Sequence, residues 1–308
     1  MRITLHRSRL RKNRLHIPTT IFMISILLAA CGSTPGSTLE KGITPTTAMT
    51  ITLTSEPSLT PSPTATPTLT PTVTPVATAT WAVHPAKQVT APILLYHHIA
   101  VKEDRYYISP DVFRQQMETL VSLGYTGITV PQLVEVLQHG GELPERPVVI
   151  TFDDGDLDVY QNAYPILQDL GLVATFYVVG TRLNSEDVIS VDQLKEMTGA
   201  GWAVGCHSMT HIDLTLNHDA LTYEAGNCKS LLEKEVGVPV LTFAYPYGTM
   251  DEFVAGKVAK YGYTSAVGLG TSSNHTWGTL YYLSRLEVQN SYDLAAFKAL
   301  LPWTEPLK

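Results

Sequence analysis

The sequence predicts an α/β fold in which a mainly parallel sheet curls into a closed or nearly closed barrel, preceded by a disordered tether. From about residue 89 to the end, short β-branched apolar runs alternate with amphipathic stretches over roughly 220 residues. This alternation is typical of parallel strands with helices covering both faces of the sheet. The length fits a barrel better than an open doubly wound sheet, which stays the alternative.

The tether is predicted from composition. Residues 33–80 are dominated by Thr, Pro and Ser, contain no aromatic residue, and place Pro67, Pro71 and Pro75 four residues apart. Such a stretch cannot bury enough apolar surface to offset its ordering entropy, and proline biases it towards extended polyproline II. We therefore expect a spacer that holds a folded domain away from a surface.

The first thirty residues have the layout of an export signal. A basic stretch ends near Arg14, an apolar run extends from Ile21 to Ala30, and small residues precede Cys31. A transmembrane helix needs about 20 apolar residues, so a signal peptide is the better interpretation of this short run. Leu28–Gly32 resembles the lipobox of bacterial lipoproteins, which implies lipidation of Cys31 and anchoring to the outer face of a bacterial membrane. An ordinary cleaved signal with a chance cysteine is the alternative.

The net charge excludes several partners. The chain has 308 residues, 44% of them apolar, and a formal net charge of −7. Six of its 21 basic residues lie in the first thirty, which hold no acid, so the remainder carries 15 basic against 28 acidic residues. Nucleic acid and anionic lipid both require a basic surface. We expect no nucleic-acid partner, and membrane contact only through the lipid anchor.

Seven apolar runs are predicted strands, each bounded by polar or turn residues. They are Ile93–Tyr96, Val148–Phe152, Ala174–Val179, Trp202–Cys206, Leu241–Ala244, Thr264–Val267 and Leu283–Val288. Helices are predicted between them. The first begins at the N-cap Ser109, with Pro110 in its first turn, and ends at Gly124. Further helices are predicted over residues 157–170, 191–198 and 219–236.

Two adjacent carboxylates, Asp153 and Asp154, directly follow the second predicted strand and precede Gly155. The carboxyl ends of parallel strands form the functional face of a β/α barrel. Neighbouring acids there can divide roles, one binding a cation and the other acting as a base. The alternative is an Asp-Asp-Gly turn in which the first acid caps the next helix.

Two histidines four residues apart, His207 and His211, follow the fourth predicted strand. One turn of helix, or a bend of similar pitch, brings both imidazoles to one side, where they can chelate a metal ion. With an aspartate they would form a three-ligand site that leaves one coordination position open, as a catalytic zinc site requires.

Two further polar segments follow strands. Tyr96-His97-His98 comes after the first strand, and Phe243–Gly248 ends the fifth strand with a Tyr-Pro-Tyr-Gly turn. If the strands are parallel, all four polar segments lie on one face of the barrel. A rigid turn at residues 245–248 and a core histidine at position 97 or 98 are the plainer interpretations.

Three of these segments, Thr151–Gly155, His207–His211 and Phe243–Gly248, together resemble the motifs of the polysaccharide deacetylase family, also called NodB-homology or carbohydrate esterase family 4. The resemblance extends from about Ile93 to Leu301. It implies a distorted (β/α) barrel that removes acetyl groups from N-acetylated sugar polymers.

The resemblance also assigns roles by position. It implies that Asp153 is the catalytic base and that the backbone N–H of Tyr247 stabilises the oxyanion, with Tyr245 and Pro246 beside the substrate. It implies a divalent metal ion, with Zn²⁺ first and Co²⁺ or Ni²⁺ also accommodated. The implied metal ligands are Asp154, His207 and His211.

The sequence departs from the family pattern twice. Family members usually have an arginine where this chain has Ala244, and a Leu-x-His segment near the C-terminus, whereas no histidine follows His275 here. Residues Pro92–His97 instead resemble the N-terminal segment of the circularly permuted branch that includes poly-N-acetylglucosamine deacetylases. That resemblance implies that His97 is the general acid, with His98 as the other candidate.

We further hypothesise that Arg285 replaces the missing arginine by orienting Asp153. The hypothesis depends on a charged residue lying inside an otherwise apolar predicted strand. The alternative is a salt bridge from Arg285 to Glu287 or another acid.

The expected activity is metal-dependent hydrolysis of N-acetyl groups on an N-acetylglucosamine-containing cell-surface polysaccharide. Aromatic side chains that could stack on sugar rings are Tyr106, Tyr107, Trp277, Tyr281 and Tyr282. The alternatives are an O-acetyl esterase acting on xylan-type polymers and an inactive glycan-binding surface lipoprotein. The inactive protein would lack a ligand or the base, and all of these residues are present.

These expectations divide the chain into a signal peptide at residues 1–30, a lipid-anchored linker at 31–86 and a catalytic domain at 87–308, which we expect to be monomeric. Cys206 and Cys228 could form a disulfide after export. Cys206 could equally be a small buried residue, or an extra soft ligand beside His207.

Overall fold

The computed structural model of the protein describes residues 80–307. Strands β1 to β14, in chain order, are Trp81–His84, Gln88–Thr90, Ile93–Tyr96, His98–Ile99, Tyr107–Ile108, Thr126–Ile128, Gly141–Pro144, Pro147–Phe152, Thr175–Val178, Ala203–Cys206, Thr242–Ala244, Ser265–Val267, Asn274–Thr276 and Leu286–Glu287. Helices α1 to α7 are Pro110–Ser122, Val130–His139, Tyr164–Asp169, Val191–Gly199, Cys228–Val236, Glu252–Lys260 and Leu294–Lys298.

One parallel sheet contains a strand from each of the seven predicted runs. Its strand order is β12-β11-β10-β9-β8-β3-β14, and β6 pairs with the beginning of β8. Sequential strands are therefore neighbours, which places the connecting helices on the outside of a curled sheet. The predicted α/β fold with about seven mainly parallel strands is confirmed. The short β6 was missed because only three residues, one of them glycine, form it.

The two edges of the sheet are bridged by the segment that leads into β14. The Gly268 and Gly270 N–H groups, just after β12, donate to the carbonyls of Leu283 and Arg285 at 2.9 and 3.0 Å. The next residue, Leu286, begins β14, which pairs with β3. One segment thus contacts both edge strands, and the seven parallel strands form a curled half-barrel.

Capping residues begin the helices that flank the sheet. At α1, Ser109 Oγ accepts from the Val112 N–H at 3.3 Å, as the sequence predicted. At α4, Ser190 and Gln193 form a capping box. The predicted helix over 157–170 is a π-helical turn that continues into α3, and the one over 219–236 passes through 3₁₀ and π-helical turns before α5.

The core has two parts, separated by the sheet. Outward-facing residues such as Leu94, Ile150 and Phe176 pack against the helices, whereas their neighbours Val149 and Tyr177 point into the barrel. This alternation follows from the two-residue period of a strand. A residue that comes directly after an outward-facing strand end therefore points towards the mouth of the barrel.

Cys206 and Cys228 form a disulfide that joins β10 to α5, with their Cα atoms 6.2 Å apart. Cys206 is therefore not an extra ligand. Strand β1 pairs with β7 and lies inside the stretch 31–86 predicted as linker, so folded structure begins before residue 87. The predicted signal peptide and Cys31 lie outside the described residues. No helix within residues 80–307 has the length and apolarity to cross a membrane.

Candidate active site

The polar segments that follow the strands meet at the carboxyl end of the barrel, around a cavity of about 520 Å³. This is the convergence expected for parallel strands. Its lining residues are Leu95, His97, His98, Asp104, Tyr106, Tyr107, Asp153, Asp154, His207, His211, Tyr245, Tyr247, Gly248, Leu269, Arg285 and Glu287.

Asp154, His207 and His211 each offer one ligand atom, and these atoms all lie within 4.8 Å of one another. Asp154 Oδ1 is 3.8 Å from His207 Nε2 and 3.5 Å from His211 Nε2. In a tetrahedral zinc site with bonds near 2.0–2.1 Å, ligand atoms stand about 3.4 Å apart. The three residues therefore have close to the spacing that a single ion requires.

The protonation of His207 suits a metal ligand. Its Nδ1 donates to the carbonyl of Ala244 at 2.9 Å, which leaves the lone pair of Nε2 directed towards Asp154. Burial lowers the pKa of His207, and this outweighs the opposing effect of Asp153 and Asp154. The neutral imidazole, which is the form that binds metal ions, is therefore favoured.

The backbone at Asp153 and Asp154 forms a tight turn. Asp154 has φ 72° and Gly155 φ 87°, and the Gly155 N–H donates to the Asp153 carbonyl at 3.0 Å. A left-handed conformation at two successive residues favours the Asp-Gly pair found here. The turn directs Asp153 into the barrel and Asp154 towards the histidines. Asp153 is fully paired inside the barrel, so it does not cap the next helix.

Arg285 holds Asp153 by a two-point ion pair. Its Nη1 and Nη2 donate to the two carboxylate oxygens of Asp153 at 2.6 and 2.7 Å, and its Nε donates to the Gly268 carbonyl at 3.1 Å. Burial raises the pKa of Asp153, but Arg285 and His207 more than offset this and bring it to about 2. The carboxylate is therefore ionised. The alternative of an Arg285–Glu287 salt bridge is not observed, because Glu287 pairs with Arg105.

The two candidate acids differ in their surroundings. His98 is held at both ring nitrogens, with Nδ1 2.8 Å from Asp158 Oδ2 and Nε2 3.3 Å from Asp156 Oδ2. Burial lowers the pKa of His98, but these two carboxylates outweigh it and the pKa is raised. His97 follows the outward-facing Tyr96 and so points to the barrel mouth.

The His97 ring lies in the electrostatic field of the ligand cluster. Burial lowers its pKa more than Asp153 and Asp154 raise it. Its ring packs against Tyr106, with centroids 4.6 Å apart. Both histidines line the cavity, but the two ring nitrogens of His98 are held by carboxylates, so His97 is the better placed of the two to act on a molecule there.

Tyr247 lies at the rim of the cavity with a strained backbone. Its φ is 61°, the residue is 62% exposed, and its ring packs edge-on against His211. The turn uses the N–H groups of Gly248 and Thr249, whereas the Tyr247 N–H has no hydrogen-bond partner among the described residues. Tyr245 is buried and donates its hydroxyl to the Tyr281 carbonyl at 2.9 Å, and Pro246 is buried outside the cavity lining.

Several lining residues were not predicted from the sequence. Leu269 and Glu287 carry no local signal, because their position depends on how the barrel closes. Of the five aromatic candidates for sugar stacking, Tyr106 and Tyr107 line the cavity, whereas Trp277, Tyr281 and Tyr282 do not.

Comparison with known proteins agrees with this geometry. The family model for polysaccharide deacetylases matches residues 140–266. YxkH of Bacillus subtilis, which is named after that family, is 28% identical over 225 residues, covering 73% of this chain and 80% of its own. A poly-β-1,6-N-acetyl-D-glucosamine N-deacetylase of Staphylococcus aureus is 27% identical over 212 residues, 64% of this chain and 73% of its own.

A solved structure is similar over a larger share of the chain than the family model. The deacetylase PplD of Streptococcus pyogenes, in complex with acetate, has a TM-score of 0.63 and 25% sequence identity, covering 71% of this chain and 99% of that structure. The curled parallel sheet, the motifs at the strand ends and these matches lead to one assignment. The chain contains a polysaccharide deacetylase domain of the NodB-homology type, also called carbohydrate esterase family 4.

Proposed function

We propose that this domain hydrolyses N-acetyl groups of N-acetylglucosamine units in a cell-surface polysaccharide, with the help of a divalent metal ion. One observation carries the proposal. The ligand cluster Asp154, His207 and His211 stands beside the buried, ionised Asp153 in one open cavity. The name of the Staphylococcus aureus relative supports an amide-linked acetyl group on a glucosamine polymer.

The residues present fit a metal ion. Two imidazoles and one carboxylate form a donor set suited to Zn²⁺, Co²⁺ or Ni²⁺, and three protein ligands leave room for water or substrate. When bound, such an ion would polarise the acetyl carbonyl and lower the pKa of water towards about 7.

Asp153 is the proposed general base. One of its oxygens lies 3.7 Å from His207 Nε2, next to the ligand cluster. Both oxygens accept from Arg285, and each carboxylate oxygen has a second lone pair that can accept a proton from attacking water. Arg285 does not touch the reacting atoms in this proposal. It positions the carboxylate.

Two further groups, the Tyr247 N–H and His97, act on the oxygen and the nitrogen of the acetamido group. As water attacks, the acetyl oxygen becomes negative, and the Tyr247 N–H can donate to it. A donor of this kind is worth about 3 to 4 kcal/mol where it has been measured. His97, once it has taken up a proton, then donates it to the departing nitrogen, so that the C–N bond breaks to leave an amine and acetate.

The site's setting suggests where the reaction takes place. The exposed rings of Tyr106 and Tyr247 lie at the cavity rim, where they can stack on sugar rings of a long chain. With the predicted lipid anchor at Cys31 and the Thr/Pro-rich linker, the domain would act on glycans outside a bacterial membrane.

The test is acetate release by the full chain, with metal added or chelated. The substrates are β-1,6 and β-1,4 N-acetylglucosamine oligomers and acetylated xylan, and the Asp153→Asn variant controls for contaminating activity. Metal-dependent acetate from an amide substrate supports the proposal and identifies the linkage. Acetate from xylan alone would identify an esterase instead. No acetate from any substrate, with metal demonstrably bound, would overturn the proposal.

A further inference from the structure

The loop between the two metal-site histidines has an unusual backbone. Ser208 and His211 both have positive φ, at 62° and 60°, although neither is glycine. Such conformations persist only where the surroundings determine them. The loop therefore needs contacts that hold it, and these contacts set where both imidazoles point.

One side of the loop is held through its carbonyls. The Gly180 N–H donates to the Ser208 carbonyl at 3.0 Å. The N–H and hydroxyl of Thr181 both donate to the Met209 carbonyl, at 2.9 and 2.6 Å. These contacts involve only carbonyl groups of the loop, so the N–H groups of the loop need other hydrogen-bond partners.

Glu224 holds the other side. Its Oε2 accepts from the N–H groups of Met209 and Thr210 at 3.0 and 2.9 Å, and its Oε1 accepts from the Thr210 hydroxyl at 2.7 Å. Glu224 is buried, with 2% of the residue exposed. No Lys, Arg or His among the described residues forms an ion pair with it. A buried charge that is compensated only by hydrogen-bond donors is costly, so its presence calls for a reason.

The element that carries Glu224 is itself fixed in place. Glu224 lies in a π-helical turn at Thr222–Asn227, a feature that occurs frequently at functional sites. The next residue, Cys228, is bonded to Cys206, which directly precedes His207. The segment that carries Glu224 is thus joined by the disulfide to the strand that ends just before His207, and by hydrogen bonds to the loop that follows His207.

We propose that Glu224 is a positioning residue that holds the backbone between His207 and His211 in the geometry that a metal ion needs. The inference rests on the metal site of the proposed function. Glu224 does not approach the ion in this role. The length of the side chain is what matters, because it allows the two carboxylate oxygens to accept hydrogen bonds from three donors of the loop.

Two conservative variants distinguish the effect of the length of the Glu224 side chain from the effect of its charge. Glu224→Gln keeps the length: its amide oxygen can accept from both N–H groups, and its NH₂ can donate to the Thr210 hydroxyl. Glu224→Asp keeps the charge, but its side chain is shorter by one methylene group, so the carboxylate lies further from the loop. Positioning predicts Zn²⁺ affinity close to wild type for Glu224→Gln, and about 10- to 100-fold weaker for Glu224→Asp, the usual cost of losing a group that orients a ligand.

The measurement is Zn²⁺ affinity of the folded full chain by competition with a chelating dye, together with hydrogen exchange of the Met209 and Thr210 amides without metal. We expect faster exchange in Glu224→Asp than in Glu224→Gln. Glu233→Ala is the matched control, because Glu233 accepts from Lys229 Nζ and the Val240 N–H at 2.7 and 3.1 Å on α5, away from the loop. It should lower stability and leave Zn²⁺ affinity unchanged.

The outcomes distinguish this inference from the proposed function. If wild type binds Zn²⁺ and Glu224→Asp binds it equally well, Glu224 does not position the loop. If Glu224→Gln is the weaker binder, its charge matters rather than its reach, and the inference is also overturned. If wild type does not bind Zn²⁺ or any other divalent ion tested, the metal site of the proposed function fails.

Discussion

Arg285 and Asp153, 132 residues apart in sequence, form a two-point ion pair inside the barrel. Both residues are at most 2% exposed. Their planar groups face each other, so both carboxylate oxygens are held at once. The pair keeps the proposed base ionised and fixes its orientation towards the ligand cluster.

Replacing Arg285 by Met should destabilise the protein. Removing one partner of a buried pair leaves the other charge uncompensated, which costs about 3 to 5 kcal/mol. We expect that loss in the free energy of unfolding measured by urea with chelator present. The double variant Arg285→Met with Asp153→Asn should recover part of it, since neither charge of the pair is left. A loss below about 1 kcal/mol in the single variant would contradict the pairing.

Asp153 and Asp154 should separate turnover from metal binding. Asp153→Asn removes the proposed base, so acetate release should fall by about 10²- to 10⁴-fold while metal remains bound. Asp154→Asn removes a ligand and should weaken metal affinity first. Dye competition and acetate release on the same preparations check both expectations. Equal loss of metal in the two variants would refute the division of roles.

His97 and His98 offer a second matched pair. His97→Gln should lower kcat by about 10²- to 10⁴-fold, because the departing nitrogen loses its proton donor. His98→Gln should chiefly disturb the contacts with Asp156 and Asp158, and so affect stability more than kcat. Kinetics on an oligomeric amide substrate and thermal unfolding measure the two effects. A greater kcat loss in His98→Gln would reverse the assignment.

The Cys206–Cys228 disulfide should contribute to stability. It closes a loop with a sequence separation of 22 residues. The chain-entropy model predicts about 3 kcal/mol for a loop of this length. Replacing both cysteines by Ala should lower the free energy of unfolding by that amount, and a thiol assay without reductant should detect no free thiol from this pair in wild type. Two free thiols there would refute the bond.

His275 should make stability depend on pH. It is buried, its Nε2 donates to the Ala91 carbonyl at 2.9 Å, and burial lowers its pKa from 6.5 to about 4. The unfolded chain binds the proton first, so stability is full above about pH 6.5 and falls as the pH drops towards 4. Protonation of His275 should lower the free energy of unfolding by about 3 kcal/mol over this range.

Urea unfolding at several pH values measures this dependence. His275→Gln keeps a donor but does not titrate, so its stability should fall less steeply between pH 6.5 and 4. The exposed His139 serves as control, since His139→Gln should reproduce the wild-type profile. Identical profiles for wild type and His275→Gln would rule out this contribution.

Local patterns in the sequence were enough to predict the sheet and the segments at its mouth. The strand Ile93–Tyr96 has its predicted bounds, and Ser109 caps α1 as expected. Both depend on neighbours within a few residues: apolar runs for strands and capping side chains for helices. Because parallel strands end on one face, the placement of Asp153 and His207 at strand ends also predicted that they would meet.

Only the tertiary structure decided which distant groups become partners. Arg285 reaches Asp153 because the last strand closes the curled sheet beside β3, and Glu224 reaches the histidine loop because α5 packs against β10. The pairing of Cys206 with Cys228 likewise depends on the tertiary structure. Sequence periodicity specifies which face a side chain occupies, but the distance between two such side chains depends on how the whole barrel curls and closes.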